Sequence, residues 1–388
     1  MEILAVNTSH DTSIVTFHDG EVTNVFEEAR HRRDKHWTPS PDEAELITLS
    51  QRGLHKPDHL IFTSFDRRGL DFTFSDEVRQ DRLLARDIIG AFAQTQLTRT
   101  RIEEIMEDFN VDKDNPRISV QENNIDADEI INHAIASQLE MDEYVFDLEH
   151  HLYHAECGYY FSPWYDKNED VIAITWDGGG AQRHHSTHPN YQEIESIYYI
   201  QGKETEPKLQ WQRLSNSRSL GDAKGGTFDN ELESCLHCPE DLETTIEGVP
   251  TVFTSQPSMG MNFSNLSAAL GCEKMGRAPG KVMGMASYAG VPIMDKVHTR
   301  HTVAQRCELD ALEHSCEIIQ RALDMNPDCK RIVLSGGYSL NCTNNYKYME
   351  RFPEVTFFVD PAASDAGTAV GASLNLARLL NNETGESE

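Results

Sequence analysis

Two segments with the same strand-like pattern constrain the fold of this chain more than any other feature. The first comprises residues 3–6, 12–17 and 22–26, and its last two stretches are joined by the turn residues Asp19 and Gly20. The second begins with the apolar run 171–176, continues through a glycine-rich turn and includes residues 196–200. Two β-meanders of this kind predict a duplicated α/β fold made of two related lobes.

The remaining periodicity predicts helices and further strands around these meanders. Leu84, Ile88 and Phe92 follow a helical period after a candidate N-cap at Ser75, and residues 126–140 and 309–323 are also helical in pattern. Short strands are predicted at 144–146, 331–334 and 356–359, and a helix of small residues at 366–380. We expect an N-terminal lobe at 1–165 and a C-terminal lobe at 166–388. The weakly periodic, acidic stretch 202–260 indicates an insertion or lid, and residues 381–388 a polar, disordered tail.

Charge and hydropathy limit the classes of function. The formal net charge is −30, which disfavours non-specific binding to nucleic acid or to an anionic membrane. A basic cluster at 30–36 is a local exception that could face an anionic ligand. No apolar run approaches the about 18 residues that a membrane span needs, and the N-terminus lacks the pattern of a signal peptide. The sequence therefore predicts a cytoplasmic protein with no membrane partner.

The strongest local signal for chemistry is a pair of histidines. His150 and His154 are one helical turn apart, so both imidazoles project from the same face, as chelation of a metal ion requires. Asp177 follows a predicted strand and Asp365 precedes a predicted helix, and both could add carboxylate ligands. Two histidines with carboxylates suit a divalent metal, with Fe(II) favoured and Mn or Zn as alternatives. The single C-x-x-C motif at 235–238 is a weaker metal signal.

Three glycine-bearing segments are candidate phosphate or nucleotide loops. Their shared property is a position at the edge of a strand or helix, where backbone N–H groups can cradle phosphate. The residues are Gly178 and Gly179 after Asp177; Gly280, Lys281 and Gly284; and Ser335, Gly336 and Gly337, followed by Asn341. One glycine pair is usually a plain turn, but three such segments favour a nucleotide site.

The order of these motifs resembles the NodU/CmcH-type O-carbamoyltransferases, whose core is related to the tRNA threonylcarbamoyladenosine synthases and the wider ASKHA (actin and sugar kinase) group. The resemblance runs from residue 10 to residue 372 outside the 202–260 stretch. It rests on Asn7, His10, Asp11 and Ser13; Glu27, Glu28, Arg30, Lys35 and His36; His150, His151, His154 and Ala155; Tyr160 and Pro163; Asp177 and Gly178; Gly280 and Gly284; Ser287 and Tyr288; Ser335, Gly337, Leu340, Asn341 and Cys342; and Pro361, Asp365 and Gly367.

The resemblance implies an ASKHA-like two-lobe fold and a carbamoyltransferase activity. It makes His150, His154, Asp177 and Asp365 the ligands of a metal that contacts the phosphate of a carbamoyl-adenylate, made from ATP and carbamoyl phosphate. It places His10 and Lys35 beside the carbamoyl group, with His10 as general base and Lys35 stabilising the carbonyl oxygen. Two-domain relatives also carry a YrdC-like domain that makes the adenylate. That domain has no counterpart in this sequence, so a YrdC-like partner is expected unless the chain makes its own donor.

Several alternatives remain open. The acceptor hydroxyl could belong to a sugar or natural product, or to a 5-hydroxymethylpyrimidine in a nucleotide or DNA. For a DNA acceptor, the 30–36 cluster, Arg99, Arg101 and Arg183 could form a local track. A phosphotransferase of the ASKHA fold is a second hypothesis, although it needs no histidine pair. A non-catalytic nucleotide-binding subunit is a third, and the sequence leaves open whether the chain forms a homodimer.

Overall fold

The computed structural model describes residues 1–8, 11–32, 56–64, 132, 135–137, 139–185, 188–215, 241–254, 256–272, 278–289 and 295–384. The predicted helix after Ser75 and most of the predicted helix at 126–140 lie outside these residues. His10, Lys35 and the C-x-x-C motif at 235–238 lie outside them too. None of the helices in the described part of the chain combines the length and hydropathy that a membrane span requires.

The first sheet contains the predicted N-terminal meander and two parallel strands. Its strands are β1 (Glu2–Asn7), β2 (Ser13–His18), β3 (Glu21–Glu27), β4 (His59–Thr63) and β5 (Val145–Asp147), and they lie in the order β3-β2-β1-β4-β5. β1 is antiparallel to β2 and parallel to β4, and β4 is parallel to β5. Leu4, Leu60 and Phe62 are almost fully buried in the core beneath this sheet. The three strands predicted for the meander are confirmed.

The first compact unit comprises residues 1–149 and 368–388, and its described residues form two helices besides this sheet. The short helix α1 (Glu28–Arg32) follows β3 directly. The C-terminal helix, which is α7 in chain order (Thr368–Thr384), packs on β1, β2 and β4. Its small residues Ala369, Ala372 and Ala377 are buried, which lets the helix approach the sheet closely.

The second sheet belongs to the second unit, residues 150–367. Its strands are β6 (Val171–Trp176), β7 (Gln182–His185), β8 (His188–Ile200), β9 (Lys208–Ser215), β10 (Leu242–Ile246), β11 (Val249–Thr254), β12 (Arg331–Ser335) and β13 (Thr356–Val359). They follow the order β10-β11-β9-β8-β6-β12-β13, with β7 paired to β8. All six residues of β6 are buried, as the continuous apolar run predicts for a central strand.

The five strands β9-β8-β6-β12-β13 repeat the arrangement of the first sheet. In each sheet the first strand of the meander is antiparallel to the second, and the second to the third. In each sheet the first strand is also parallel to the fourth, which is parallel to the fifth. The strand order and all four pairings therefore agree. The structure confirms the predicted duplicated α/β fold of the ASKHA type, with β10 and β11 added to one edge of the second sheet.

The described residues of the second unit form five α-helices. They are α2 (His150–Phe161), α3 (Met259–Ala269), α4 (Pro279–Ala286), α5 (Asp295–Met325) and α6 (Cys342–Arg351), and α7 belongs to the first unit. The core between them contains Trp176, Ile319 and Tyr348, each 1% exposed or less. Burial of side chains this large contributes about 1.5–3 kcal/mol each.

Parts of the predicted organisation differ from the structure. The predicted insertion at 202–260 contributes to the sheet and core where it is described, because residues 202–215 and 241–254 supply β9, β10 and β11, and Trp211, Leu214 and Phe253 are buried. The hydrophobic pattern is weak there because β9 also buries Gln212 and Arg213. Residues 381–384 extend α7 instead of starting a disordered tail, and 385–388 lie outside the description. The compact units also divide the chain at 149/150 and 367/368, not at 165/166.

Candidate metal centre and its loops

Helix α2 places two imidazoles side by side in the protein interior. His150 and His154 are both 0% exposed, and their Nε2 atoms are 3.2 Å apart. The rings meet edge to face with their centroids 4.7 Å apart. Every residue from 150 to 159 is buried, so α2 is a core helix. Because burial of polar imidazoles is costly without partners, the two facing nitrogens need a further group between them or beside them.

Asp177 directly follows β6 and faces His150. Its Oδ2 lies 3.2 Å from Nε2 of His150, while its Oδ1 accepts a hydrogen bond of 2.9 Å from the backbone N–H of Gly337. The carboxylate is 8% exposed. One oxygen is therefore held by a loop that follows another strand, and the other is directed at the histidine pair.

Asp365 approaches the same point from the far end of the unit's sequence. It begins a short 3₁₀ helix (Asp365–Gly367), and its Oδ1 lies 3.6 Å from Nε2 of His150 and 3.7 Å from Nε2 of His154. One donor atom from each of His150, His154, Asp177 and Asp365 lies within 4.8 Å of the others, and all four residues are buried. The structure thus brings together the four residues singled out as metal ligands.

The distances that join His150 to the other three donor atoms are close to those expected around a single metal ion. Two atoms that each lie about 2.1 Å from one ion are about 3.0 Å apart at an octahedral angle and about 3.4 Å apart at a tetrahedral angle. The His150–His154 and His150–Asp177 distances of 3.2 Å fall between these values, and those to Asp365 lie slightly beyond. Two imidazole nitrogens and two carboxylate oxygens are donors that Fe(II), Mn and Zn accept.

The electrostatics of the cluster also favour a cation. Burial by itself lowers the pKa of His150, but the carboxylates of Asp365 and Asp177 raise it, with a further contribution from Glu193, to about 9. The carboxylates therefore create a strongly negative potential at Nε2 of His150. A divalent ion that displaces the proton from this nitrogen would meet the same potential.

The loop after β12 packs tightly against Asp177. Gly336 has φ of +87°, and a Cβ there would lie 2.4 Å from the carbonyl oxygen of Trp176. A Cβ at Gly337 would lie 2.8 Å from Oδ1 of Asp177. The side chain of Ser335 donates to Asp360, and that of Asn341 caps α6 by accepting from the N–H of Asn344. The predicted phosphate contacts of this loop, which would use its backbone N–H groups, stay a prediction.

The glycines after Asp177 lie beside the start of α3. A Cβ at Gly260 would lie 3.1 Å from the backbone nitrogen of Gly178. Ser258 donates its hydroxyl hydrogen to the carbonyl oxygen of Gly178 and accepts from the N–H of Met261, so it links the loop to the first turn of α3. Gly179 faces Gln192, whose Oε1 would lie 2.9 Å from a Cβ at that position.

The third predicted nucleotide segment forms helix α4. Pro279 opens the helix, and Gly280 and Gly284 face space in which a Cβ would meet no described atom within 4 Å. Lys281 donates to the carbonyl oxygen of Cys272 at 3.1 Å. Among the described residues, none occupies the position of a Cβ at either glycine, and the predicted nucleotide contacts of this helix stay a prediction.

Two further buried carboxylates, Asp360 and Glu193, lie near the centre and were not predicted from the sequence. Asp360 follows β13 and is 1% exposed; it accepts from the Ser335 hydroxyl at 2.7 Å and from the N–H of Ala362 at 2.8 Å. Burial raises the pKa of Asp360. Glu193, on β8, is 0% exposed. Asp360 could have been recognised as a carboxylate at the carboxyl end of a predicted strand. Glu193 could have been recognised as a charged residue within a strand.

The fold and these converging side chains define a duplicated α/β protein with a candidate metal centre in its second unit. Residues 2–316 match the family described as "Carbamoyltransferase N-terminus". This match covers most of the chain, and the chain therefore belongs to that family.

Two curated proteins are similar to parts of this chain. "Nodulation protein NolNO" from Sinorhizobium fredii is 45% identical over 58 residues, which are 15% of this chain and 8% of that protein. "Uncharacterized protein MJ1058" from Methanocaldococcus jannaschii is 24% identical over 262 residues, 58% of this chain and 36% of that protein. The matched segments thus span well under two thirds of both relatives.

Solved structures with similar folds include two of HypF. Full-length HypF in the phosphate- and nucleotide-bound form is 12% identical with a TM-score of 0.42, over 98% of this chain and 55% of HypF. HypF from T. kodakarensis is 12% identical with a TM-score of 0.49, over 98% and 48%. A ROK family glucokinase from Streptomyces griseus has a TM-score of 0.41 at 12% identity, over 96% and 99%. At these low scores, the fold assignment depends on the repeated strand order described above.

Proposed function

We propose that this protein transfers a carbamoyl group from carbamoyl-adenylate to an acceptor hydroxyl. The observation that carries the proposal is the convergence of His150, His154, Asp177 and Asp365 in a chain of the carbamoyltransferase N-terminus family. Two imidazoles and two carboxylates form a site for a divalent ion. ATP and carbamoyl phosphate would supply the donor, and a cytoplasmic location, where ATP is available, belongs to the same proposal.

The four side chains would hold the metal, with Fe(II) favoured over Mn or Zn. A bound ion would neutralise charge on the phosphate of the adenylate, which is the leaving side of the donor. The protein's own contribution is orientation. The N–H of Gly337 donates to Oδ1 of Asp177 at 2.9 Å and so fixes the side-chain conformation in which Oδ2 faces the site. Burial of all four residues keeps the local dielectric low and strengthens the attraction of the two carboxylates for a divalent cation.

The nucleotide would contact the loops around this centre. Gly336 and Gly337 follow β12, Gly178 and Gly179 follow β6, and Gly280, Lys281 and Gly284 lie on α4. On α4, a Cβ at Gly280 or Gly284 would meet no described atom within 4 Å, whereas the Cβ positions of Gly179, Gly336 and Gly337 are taken by protein atoms, so those loops would contact phosphate through their backbone. Support for this part of the proposal comes from the open space beside α4 and from the contact between Gly337 and Asp177.

The transfer step itself would use residues of the N-terminal segment. The acceptor oxygen attacks the carbamoyl carbon, the bond from that carbon to the phosphate oxygen breaks, and AMP leaves. His10 would take the proton from the hydroxyl, and Lys35 would stabilise the negative charge that develops on the carbonyl oxygen. His10 and Lys35 lie outside the described residues, so their assignment rests on the sequence resemblance.

The acceptor is proposed as a class. It is either a hydroxyl of a sugar or natural product, or a 5-hydroxymethylpyrimidine in a nucleotide or in DNA. Mass spectrometry of acceptor mixtures tests both. Purified protein is incubated with Fe(II), ATP, carbamoyl phosphate and either hydroxylated sugars or hydroxymethylated DNA. A gain of one carbamoyl group on a hydroxyl supports the proposal and names the acceptor class.

The same assay decides how the donor is made. A gain of mass without further protein means that this chain makes its own carbamoyl-adenylate. A gain only after addition of a YrdC-like protein means that a partner makes it. The H154N variant serves as the control in both arms, because asparagine is polar but too short to place an atom where Nε2 of His154 lies. No transfer in any arm, with synthetic carbamoyl-adenylate included, would contradict the proposed activity.

A further inference from the structure

Strand β8 contains an irregularity beside the candidate metal centre. In its pairing with β9, Glu193 lies opposite Leu214 and Glu195 lies opposite Arg213. Arg213 and Leu214 are adjacent on β9, but their partners on β8 are separated by Ile194. Ile194 is therefore the extra residue of a β-bulge. Bulges re-aim local groups and are frequent next to functional sites.

The backbone of this bulge holds the loop that carries Asp177. The carbonyl oxygen of Ile194 accepts from the N–H of Asp177 at 3.1 Å, and that of Glu193 accepts from the N–H of Gly180 at 2.7 Å. The N–H of Glu193 in turn donates to the carbonyl oxygen of Ala181 at 3.0 Å. Both ends of the glycine-rich loop are therefore tied to the bulge, and a shift of the bulge would move Asp177.

A buried ion cluster, formed by Glu195 and Arg213 together with the partly exposed His314, lies at the same bulge. Arg213 Nη1 lies 3.4 Å from Glu195 Oε2, and His314 Nε2 lies 3.0 Å from the same oxygen. The second nitrogen of the guanidinium, Nη2, donates to Asp241 at 3.0 Å. Glu195 is 0% and Arg213 is 6% exposed.

This cluster is compatible with only one register of β8 against β9. Buried charges are stable only while their partners stay in place, because the loss of one partner leaves the other charge desolvated and uncompensated. A slip by one residue would also turn Glu195 to the opposite face of the sheet. The ion cluster therefore has the geometry to lock the bulge.

We infer that Arg213 is a positioning residue for the metal centre, acting through the bulge on Asp177. The inference rests on the proposed metal-dependent function. In the described part of the chain, the polar contacts of the Arg213 guanidinium are with Glu195, Asp241, Thr254 and His314, and none of these is one of the four candidate ligands. The effect of Arg213 on the metal is therefore indirect, through the backbone of residues 193–195.

The substitution Arg213→Met distinguishes positioning from simple electrostatics. Removal of a positive charge near a cation site should leave cation binding equal or tighter. Loss of the lock on Asp177 should instead weaken it, by about tenfold or more, as for other residues that orient metal ligands. Calorimetry on the purified full chain measures whether the affinity for Mn(II) falls, as positioning predicts, or stays equal or rises, as electrostatics alone predicts.

Two matched controls accompany this measurement. Arg331→Met removes another arginine of the same unit, one that donates to the carbonyl oxygen of Asp170 and does not touch the bulge. Leu323→Ala removes buried apolar volume from α5 at a position outside the ion cluster, so it lowers stability by a different route. Both should bind Mn(II) with wild-type affinity. Arg213→Lys keeps the charge but not the guanidinium fork, so it should weaken binding in the same direction and decides the question if Arg213→Met does not fold.

Hydrogen exchange gives a second readout that needs no metal. The N–H of Asp177 donates to Ile194, so Arg213→Met or Arg213→Lys should speed exchange in residues 176–181 relative to residues 331–335. Unchanged exchange there, or Mn(II) binding at wild-type or higher affinity in a folded variant, overturns the inference. Failure of the wild-type chain to bind Mn(II), Fe(II) or Zn(II) would overturn the metal in the proposed function instead, and the exchange experiment would still decide whether Arg213 locks the loop.

Discussion

The N–H of Gly337 donates to Oδ1 of Asp177 at 2.9 Å, and so joins the loop after β12 to the residue that ends β6. The two strands are parallel neighbours, with Ser335 opposite Thr175. The carboxyl ends of parallel neighbours lie at one edge of a sheet, which is where ligands commonly bind in α/β folds. This hydrogen bond therefore connects a predicted phosphate loop to a candidate metal ligand, and it has consequences that can be measured.

Gly337→Ala should weaken metal binding more than it weakens the fold. The new Cβ would lie 2.8 Å from Oδ1 of Asp177, so the carboxylate has to move away from its present position. The atom displaced belongs to a side chain, and the backbone around it has no equivalent clash. We expect Mn(II) affinity to fall about tenfold, with a small change in melting temperature. Calorimetric titration alongside thermal unfolding would show this, and unchanged affinity would contradict the proposed function of this contact.

Gly336→Ala should have the opposite balance. Its φ of +87° is unfavourable for alanine, and its Cβ would lie 2.4 Å from the carbonyl oxygen of Trp176, which is backbone and cannot rotate away. We expect a loss of at least about 2 kcal/mol in the free energy of unfolding. The control is Gly248→Ala, where φ is +86° but a Cβ meets nothing within 4 Å. Denaturant unfolding that shows equal losses at both positions would remove the clash as the cause.

The histidine pair should be necessary for metal binding. His150→Asn and His154→Asn each remove one nitrogen from the cluster and should abolish stoichiometric binding of Fe(II), Mn(II) or Zn(II). His151 is equally buried on α2, but its Nδ1 bonds the hydroxyl of Ser196 at 2.8 Å, and His151→Asn should retain the metal.

Thermal unfolding reports the same difference. A ligand at about 100 times its Kd stabilises the native state by about 2.7 kcal/mol. Metal should therefore raise the melting temperature of the wild type and of His151→Asn by several degrees, but not that of His150→Asn or His154→Asn. Metal stabilisation that persists in both of the latter would place the ion elsewhere.

Much of the fold could be predicted from the sequence because its central strands are unambiguous. The alternation in residues 12–17 and the apolar runs at 171–176 and 331–334 each have one interpretation, and the strands form there. β9 could not be predicted in the same way. It buries the polar residues Gln212 and Arg213, which interrupt the hydrophobic alternation that is typical of a strand. Its polar side chains find partners on β11, α5 and residue 241, which are distant in sequence. Local periodicity contains no information about such partners.

The candidate site divides in the same way. The spacing of His150 and His154 is a local property of a helix, so the pair could be recognised directly. Asp177 and Asp365 are 188 residues apart in the sequence, and the topology of the sheet brings them together. Their proximity could be predicted only through the family resemblance. Asp360, the bulge at Ile194 and the buried ion cluster depend wholly on pairing between distant strands. Nothing in one strand alone indicates them.

Alanine at Gly280 and Gly284 should separate nucleotide binding from folding. A Cβ at either position meets no described atom within 4 Å, and alanine favours a helix by about 0.5–1 kcal/mol over glycine. The melting temperature should therefore stay the same or rise slightly. If the open space is occupied by the nucleotide, ATP affinity should fall severalfold in both variants. Fluorescent nucleotide titration that shows wild-type affinity in both would remove α4 from the nucleotide site.

Stability at acid pH should depend on Glu195. The desolvation of this buried carboxyl raises its pKa, but His314 and Arg213 lower it more, and the folded-state pKa is about 2 against a reference value of 4.5. Because the pKa is depressed on folding, the stabilisation is fully present above about pH 4.5 and is lost as the pH falls from there towards about 2. A depression of this size corresponds to about 3 kcal/mol.

Glu195→Gln keeps the shape of the side chain and cannot titrate. Its free energy of unfolding should be lower than that of the wild type at neutral pH and should fall less steeply between about pH 4.5 and pH 2. The comparison uses urea unfolding at a series of pH values, with Glu313→Gln as control, because Glu313 pairs with Arg351 on the surface. Screening by solvent leaves that pair with little influence on stability. Parallel pH profiles for wild type and Glu195→Gln would mean that Glu195 does not contribute charge-dependent stability in the folded protein.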